Sequence, residues 1–187
     1  MEQPPSIWRG ERVRLRAIEL RDGETYHAWN FDDEMTRNLW YIPFPQSPEA
    51  GRRWIEGAAA AQPEGDHFRF TVESLATDEV VGDITMHNCD RRVGTFSFGV
   101  GIKSGERRRG YAAEAITIVL RYFFEELRYQ KAYVGVYSFN EASLGLFAHL
   151  GFVQEGRQRR MVFTRGQYFD TVWLGMTAEE FAARYST

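Results

Sequence analysis

The stretch that decides the fold is GVGIKSGERRRGYAAEAITIVLRYFFEEL, residues 99–127. Its first residues continue an apolar segment, Thr95–Ile102, that predicts a strand. From residue 111 to 127, apolar residues recur every three or four positions, which predicts a helix with one buried face. Three consecutive arginines and Gly110 lie between the two patterns. We therefore expect a strand, a basic glycine-containing loop and a helix N-terminus in direct succession.

A junction of this kind favours an anion. The first backbone N–H groups of a helix have no partner within the helix, and the helix dipole favours negative charge there. Gly110 would let a ligand approach the backbone closely. Arginine side chains add charge-assisted donors for phosphate; here they are Arg107, Arg108 and Arg109. The spacing matches neither a Walker loop nor a three-glycine dinucleotide site, and for the motif taken alone a solvated basic turn is the alternative.

The segments around this junction alternate between strand and helix patterns. Strands are predicted at 13–17, 68–74, 80–86, 95–102, 132–139, 153–164 and 169–176. Helical segments are predicted from Asp22, from Asp32, over 47–61, over 111–127 and over 140–150. The order β-α-α-βββ-α-β-α-ββ is that of a mixed α/β (α+β) fold with one strand-helix-strand crossover.

Four motifs in this order resemble a known family. Arg107-x-x-Gly110-x-Ala112 resembles the Q/R-x-x-G-x-G/A motif of the GNAT superfamily of acetyl-CoA-dependent N-acetyltransferases. The other three are Asn140-x-x-Ser143, Gly151-Phe152-x-x-Glu155-Gly156 and Gly166-x-x-x-Asp170. Together they resemble the RimJ/RimL-like branch, which includes ribosomal-protein N-terminal acetyltransferases and relatives acting on small amines. The resemblance covers about residues 9–176 and implies one GNAT domain over 1–187, with a mostly antiparallel central sheet flanked by helices.

The resemblance implies acetyl-CoA as cosubstrate and assigns residues to it. The coenzyme A pyrophosphate would be held by the backbone amides of Arg107, Arg108, Arg109, Gly110, Tyr111 and Ala112. The pantetheine arm would pair with the backbone of Val100, Gly101 and Ile102, like an added strand. Asn140 would fix the pantetheine or the end of the preceding strand. Core packing is the alternative role for Val100 and Ile102.

Acetyl transfer to an amine needs a base for the amine proton, a donor for the oxyanion and an acid for the leaving thiolate. Many GNAT enzymes place a tyrosine where this chain has Phe147, so that acid is absent. The resemblance assigns the thiolate to Ser143, whose alternative role is to cap or solvate the helix start. The positions at which relatives carry a carboxylate hold Ser97 and Val162. The remaining candidates for the base are Asp83, His87, Glu34 and a chain of waters.

Candidate substrate-binding residues lie in the loop after the early helices. Trp40 and Tyr41 could clamp an acceptor, or could pack onto their own loop. Glu34 could attract a cationic amine, and His87 lies at the end of a strand. The last hairpin carries Arg157, Arg159, Arg160 and Arg165, which would instead suit an acidic substrate. The charges of the sequence therefore do not identify the acceptor.

Composition excludes several classes of protein. The chain has 187 residues, a net charge of -3 and a single cysteine, Cys89. The chain lacks the excess of basic residues that is typical of nucleic-acid-binding proteins. It also contains no apolar run long enough to span a membrane. One cysteine cannot form an internal disulfide, so we expect a cytoplasmic protein without a membrane partner. No spacing of His, Cys and carboxylates predicts a metal. The last hairpin could form a homodimer surface or the core side of a terminal sheet.

We therefore predict an N-acetyltransferase that acetylates a primary amine, either a protein N-terminus or a small amine, by direct attack in a ternary complex. A polyamine or antibiotic N-acetyltransferase is one alternative. The other is a non-catalytic acyl-CoA sensor.

Overall fold

The computed structural model describes residues 6–185, so the ends of the predicted 1–187 domain, residues 1–5 and 186–187, lie outside the described residues. The strands are β1 (Val13–Arg16), β2 (Arg69–Ser74), β3 (Val80–Asp90), β4 (Thr95–Ile102), β5 (Lys131–Tyr137), β6 (Val153–Thr164) and β7 (Gln167–Thr177). The α-helices are α1 (Gly23–Trp29), α2 (Asp33–Leu39), α3 (Pro48–Ala60), α4 (Tyr111–Arg121), α5 (Glu141–Leu150) and α6 (Ala178–Tyr185). Within 6–185, no helix is long and apolar enough to cross a membrane.

The seven strands form a sheet in the order β1-β2-β3-β4-β5-β7-β6. β1 pairs antiparallel with β2, β2 with β3, β5 with β7, and β7 with β6. β4 and β5 are parallel, with Thr95–Ser97 opposite Lys131–Tyr133. The predicted mixed, mostly antiparallel sheet flanked by helices is therefore confirmed.

Two helical features differ from the sequence prediction. The predicted helix over 111–127 is α-helical only to Arg121 and ends in a π-helical turn, Tyr122–Glu126. Phe123 and Phe124 are both buried, with ring centroids 4.2 Å and 5.9 Å from that of Phe96. Because a π turn inserts an extra residue, it lets adjacent aromatic side chains pack on one ring. The terminal helix α6, anchored by the buried Phe181, was not predicted.

The chain divides into two compact units. The first comprises the residues up to Met86 together with Gly99–Val119, and the second comprises His87–Phe98 together with Leu120 onward. In the first unit, α1 and α3 pack through the buried side chains of Tyr26 and Ile55. In the second unit, Phe96 is fully buried and stacks on Phe123.

The first unit also contains a buried ionic network. The Glu73 carboxylate, with a side-chain exposure of 0%, accepts hydrogen bonds from the guanidinium groups of Arg14 and Arg16. Arg16 in turn donates to both carboxylate oxygens of Asp22, at 2.7 Å and 2.8 Å. Burial alone would raise the pKa of Asp22, but the Arg16 guanidinium, the Glu19 backbone N–H and the charge of Arg21 together outweigh burial and lower that pKa. The alternation of apolar and charged residues in β1 therefore places two arginines on one face, against a buried acid on β2.

Replacing Glu73 tests this network. We expect Glu73→Ala to lower the free energy of unfolding by about 3 kcal/mol, because it leaves partly buried guanidinium groups without their carboxylate. Denaturant unfolding followed by circular dichroism would measure the change. The control Glu49→Ala removes an exposed ion pair to Arg52 and should leave stability unchanged. Equal effects of the two substitutions would contradict a structural role for the buried network.

Candidate active site

The basic loop is held in place from the first turn of α4. The Glu114 carboxylate accepts hydrogen bonds from the backbone N–H groups of Glu11, Arg12 and Val13, at 2.8, 2.8 and 2.7 Å. Tyr111, the first residue of α4, is buried, and its hydroxyl lies 3.4 Å from Ser74 Oγ. These contacts fix the N-terminus of α4 against the chain entering β1.

The backbone of the loop has an unusual conformation. Arg108 and Gly110 have positive φ angles of 64° and 82°. An arginine rarely adopts this left-handed conformation, and such strain is typical of functional loops. Left-handed residues alternating with ordinary ones turn successive N–H groups toward one side, which creates a concave site for an anion. The two left-handed residues lie within 107–112, the segment for which the sequence predicts a phosphate site.

Two residues near the loop, Arg107 and Ser104, contact the acidic turn that begins α2. Arg107 forms an ion pair with Glu34, and its Nε donates to the Ile102 carbonyl at 3.3 Å. Ser104 donates its hydroxyl to Asp32, which also accepts the Met35 N–H at 2.9 Å. Glu34, predicted to bind substrate, and Arg107, predicted to bind coenzyme A, are thus brought together.

These contacts also set the ionisation of the acidic turn. Burial alone would raise the pKa of Asp32. The Ser104 hydroxyl, the Met35 N–H and the charge of Arg107 outweigh burial and lower that pKa. Asp32 is therefore ionised at neutral pH and contributes to the attraction between α2 and the basic loop.

The end of β4 carries the predicted pantetheine segment, Val100, Gly101 and Ile102. A Cβ added to Gly82 on β3 would lie 2.2 Å from the Gly101 carbonyl oxygen, so only glycine fits there. A Cβ on Gly101 would lie 2.9 Å from Met35 Cε and 3.1 Å from Asp83 Oδ1. The side of Gly101 that a larger residue would occupy is therefore filled by side chains from α2 and β3.

A cavity of about 200 Å³ opens among α1, α2, α3 and the first strands. It is lined by Tyr26, Trp29, Asn30, Met35, Thr36, Leu39, Gln46, Trp54, Arg69 and Asp83. The predicted substrate residues Trp40 and Tyr41 do not line it, and their exposed fractions are 69% and 60%. His87, on the part of β3 that belongs to the second unit, is exposed. The sequence did not predict the cavity, because its lining residues come from five separate elements.

Asp83 is the buried acid of this cavity. Its side chain is 12% exposed, and Oδ2 lies 3.2 Å from Arg69 Nε. Burial raises the pKa of Asp83, and the charge of Arg69 opposes the change only in part. Arg69 is held in place by a 2.9 Å hydrogen bond to Thr85 Oγ1 and by the Trp54 ring, whose centroid lies 5.6 Å from its guanidinium carbon.

The second unit holds the other motifs of the resemblance. Asn140 caps α5, because its side-chain oxygen accepts the Ser143 N–H at 3.1 Å. Ser143 itself is half-buried, and Phe147, one turn later, is buried against Phe152. Asp170 on β7 accepts hydrogen bonds from Arg157 and from the Arg160 backbone, which ties the last hairpin together.

Comparison with known proteins identifies this arrangement. A protein-family model described as "Acetyltransferase (GNAT) domain" matches residues 12–153 of this chain. The chain belongs to the GNAT family of acetyltransferases. It is 43% identical over 177 residues to the SPbeta prophage-derived uncharacterized N-acetyltransferase YokL of Bacillus subtilis (strain 168), covering 94% of this chain and 96% of YokL. It is 22% identical to YdaF of the same strain, provisionally named a ribosomal N-acetyltransferase, over 91% of this chain and 93% of YdaF.

The fold of this GNAT acetyltransferase also matches solved structures. The spermidine N-acetyltransferase from Vibrio cholerae, solved with CoA and spermine, superposes with a TM-score of 0.79. The match covers 92% of this chain and 99% of that chain, at 22% identity. At this identity the likeness establishes the GNAT fold, and the acceptor has to be inferred from the chain's own residues.

Two glycines of the loop offer a matched test. Gly110→Ala places a Cβ on a residue with φ of 82°, which costs about 1 kcal/mol even though the nearest atom, Arg12 Cδ, lies 3.5 Å away. The strain should turn the loop amides and weaken coenzyme A binding several-fold in calorimetry. Gly105→Ala is the control, because nothing lies within 4 Å of its added Cβ, and binding should not change. Unaltered binding by Gly110→Ala would argue against a phosphate site at this loop.

Proposed function

We propose that this GNAT acetyltransferase transfers the acetyl group of acetyl-CoA to a primary amine, either a protein N-terminus or a small amine, by direct attack in a ternary complex. The observation that carries the proposal is the loop before α4. Its left-handed Arg108 and Gly110, the arginines beside them and the anchored helix N-terminus form a site suited to a diphosphate.

The proposal assigns this chain's residues to the coenzyme. The backbone N–H groups from Arg107 to Ala112 would bind the pyrophosphate, and the backbone of residues 100–102 would pair with the pantetheine. Asn140, which caps α5, would fix the pantetheine or the end of the preceding strand. Bound acetyl-CoA would supply the thioester that is transferred.

The reaction forms a C–N bond between the amine and the acetyl carbon and breaks the C–S bond. A base takes one proton from the ammonium, and the nitrogen loses a second proton after it has attacked the acetyl carbon. We assign protonation of the departing coenzyme A thiolate to the Ser143 hydroxyl, since Phe147 stands where many relatives carry a tyrosine. The second proton from the nitrogen then restores the serine, so the net reaction releases one proton to solvent. This assignment rests on the resemblance to the RimJ/RimL-like branch, which the distant similarity to YdaF supports.

Polyamine acetylation is the second candidate, because solved GNAT structures of the same fold include spermidine N-acetyltransferases. A non-catalytic acyl-CoA sensor is the third, because Ser97 and Val162 stand where relatives hold a carboxylate. The remaining predictions are a single domain, a cytoplasmic location and a homodimer formed through the last hairpin. On that hairpin Val172 is buried, whereas four large apolar or aromatic side chains are more than half exposed and are available to a second copy: Val153, Met161, Phe163 and Tyr168.

Thiol release from acetyl-CoA with a panel of peptides, monoamines, polyamines and aminoglycosides would test the function. We expect release with one acceptor class, and a rate about 100-fold lower in Ser143→Ala, because the thiolate would leave without its acid. The control Ser47→Ala alters the cap of α3 and should keep the full rate. Acetyl-CoA binding without release across the panel would favour the sensor, and a full rate in Ser143→Ala would exclude the serine as the acid.

A further inference from the structure

The cavity around Asp83 has no role in the function described so far. It lies entirely within the first unit, and the loop for the coenzyme and residues 99–102 lie in the same unit. Three aromatic rings, one carboxylate and one guanidinium line it. We propose that this cavity binds the acceptor, that the acceptor is a monoamine on a compact apolar or aromatic arm, and that Asp83 accepts the proton of its ammonium group. The inference rests on the proposed acetyl transfer to an amine.

The walls of the cavity suit an apolar arm. The Tyr26 ring centroid lies 4.7 Å from that of Trp29 and 5.2 Å from that of Trp54. Aromatic faces attract both apolar groups and ammonium ions. A cavity of about 150 Å³ is large enough for a benzene ring. The volume of about 200 Å³ therefore accommodates one ring with a short aminoalkyl chain.

The charges favour a single ammonium group. Asp83 provides one negative charge, which would pair with one ammonium. Arg69 remains held by Thr85 and by Trp54, so a second ammonium in the same cavity would meet its positive charge. A polyamine, which carries several cations along one chain, would therefore bind less well than a monoamine of similar length.

The position of Asp83 suits a base. Its Oδ1 lies 3.1 Å from the point that a Cβ on Gly101 would occupy, so the carboxylate borders the segment proposed to hold the thioester arm. In the proposed step an ammonium proton moves to the Asp83 carboxylate, and the freed lone pair attacks the acetyl carbon. The C–S bond then breaks, the second proton of the attacking nitrogen is transferred to the departing thiolate, and Asp83 returns its proton to solvent.

The ionisation of Asp83 agrees with this step. Burial raises the pKa of its carboxyl group above the usual range for aspartate, toward the pH at which a general base works best. The Arg69 guanidinium on β2 lowers the pKa of Asp83. The Tyr26 hydroxyl on α1 shares a 3.1 Å hydrogen bond with Thr71 Oγ1, and burial together with the charge of Asp83 raises the pKa of Tyr26. A purely structural role as the partner of Arg69 would give no effect of Asp83 on the pH profile of catalysis.

A binding experiment with 2-phenylethylamine and spermidine tests the cavity without turnover. Calorimetry in the presence of coenzyme A should give saturable binding of 2-phenylethylamine to the wild type and weaker binding of spermidine. Asp83→Asn should weaken 2-phenylethylamine binding at least tenfold. Asp78→Asn is the matched control, since this side chain is 78% exposed on the turn between the same strands and should not alter binding. Tighter binding of spermidine, or equal binding by Asp83→Asn and the wild type, would overturn the inference.

A rate experiment tests the proton transfer. In the wild type, kcat/KM for 2-phenylethylamine should fall as the pH drops through the raised pKa of Asp83, because the base must be ionised. Asp83→Asn should lower kcat by a factor of about 100 or more and remove that acid limb. A structural role would instead leave the acid limb in place.

The failure of this inference and that of the proposed function can be told apart. If acetyl-CoA does not bind, the proposed transfer fails, and the amine titration still judges the cavity. If acetyl-CoA binds and another amine is acetylated equally by Asp83→Asn and the wild type, the transfer stands and the inference fails.

Folding of Asp83→Asn is checked by thermal unfolding at pH 7. The folded state raises the pKa of Asp83, so the ionised side chain disfavours folding there and the asparagine variant should be no less stable.

Discussion

The three hydrogen bonds from the chain entering β1 to Glu114 are the constraint on which the proposed coenzyme site depends. They join the first turn of a helix to backbone more than one hundred residues earlier, at distances of 2.7–2.8 Å. Because the helix start is fixed in this way, the left-handed residues Arg108 and Gly110 are held in position before any ligand arrives. A preformed loop spares a phosphate ligand the entropic cost of ordering the amides that bind it.

The acidic turn at the start of α2 forms an ion pair with the basic loop before α4. The sequence predicts that Glu34 attracts a cationic amine and that Arg107 helps to bind coenzyme A. In the structure Glu34 pairs with Arg107, although 73 positions separate them in the sequence. Asp32 likewise holds Ser104. Glu34 and Asp32, which could attract an acceptor, therefore already bind Arg107 and Ser104. We infer that recognition of the acceptor depends on other residues.

The features that the sequence predicted are those that depend on local patterns of residues. Alternation and helical spacing predicted the strands and α4. The arginines with Gly110 predicted a phosphate site, which stays a prediction. The π turn after Arg121 was not predictable, because it depends on how Phe123 and Phe124 pack on Phe96, a contact that no periodicity records. The cavity was missed for the same reason, since its lining residues are distant in sequence. The role of Ser143 still rests on resemblance.

Two buried carboxylates on neighbouring strands, those of Glu73 and Asp83, differ in how fully their charge is compensated. Glu73 is enclosed by Arg14 and Arg16, so its charge is compensated by two guanidinium groups. Asp83 meets Arg69 at 3.2 Å and lines an open cavity, and its burial disfavours the ionised form. A carboxylate kept at a cost in stability beside space for a ligand is typical of sites where stability is exchanged for function. The contrast favours a chemical role for Asp83 and a structural one for Glu73.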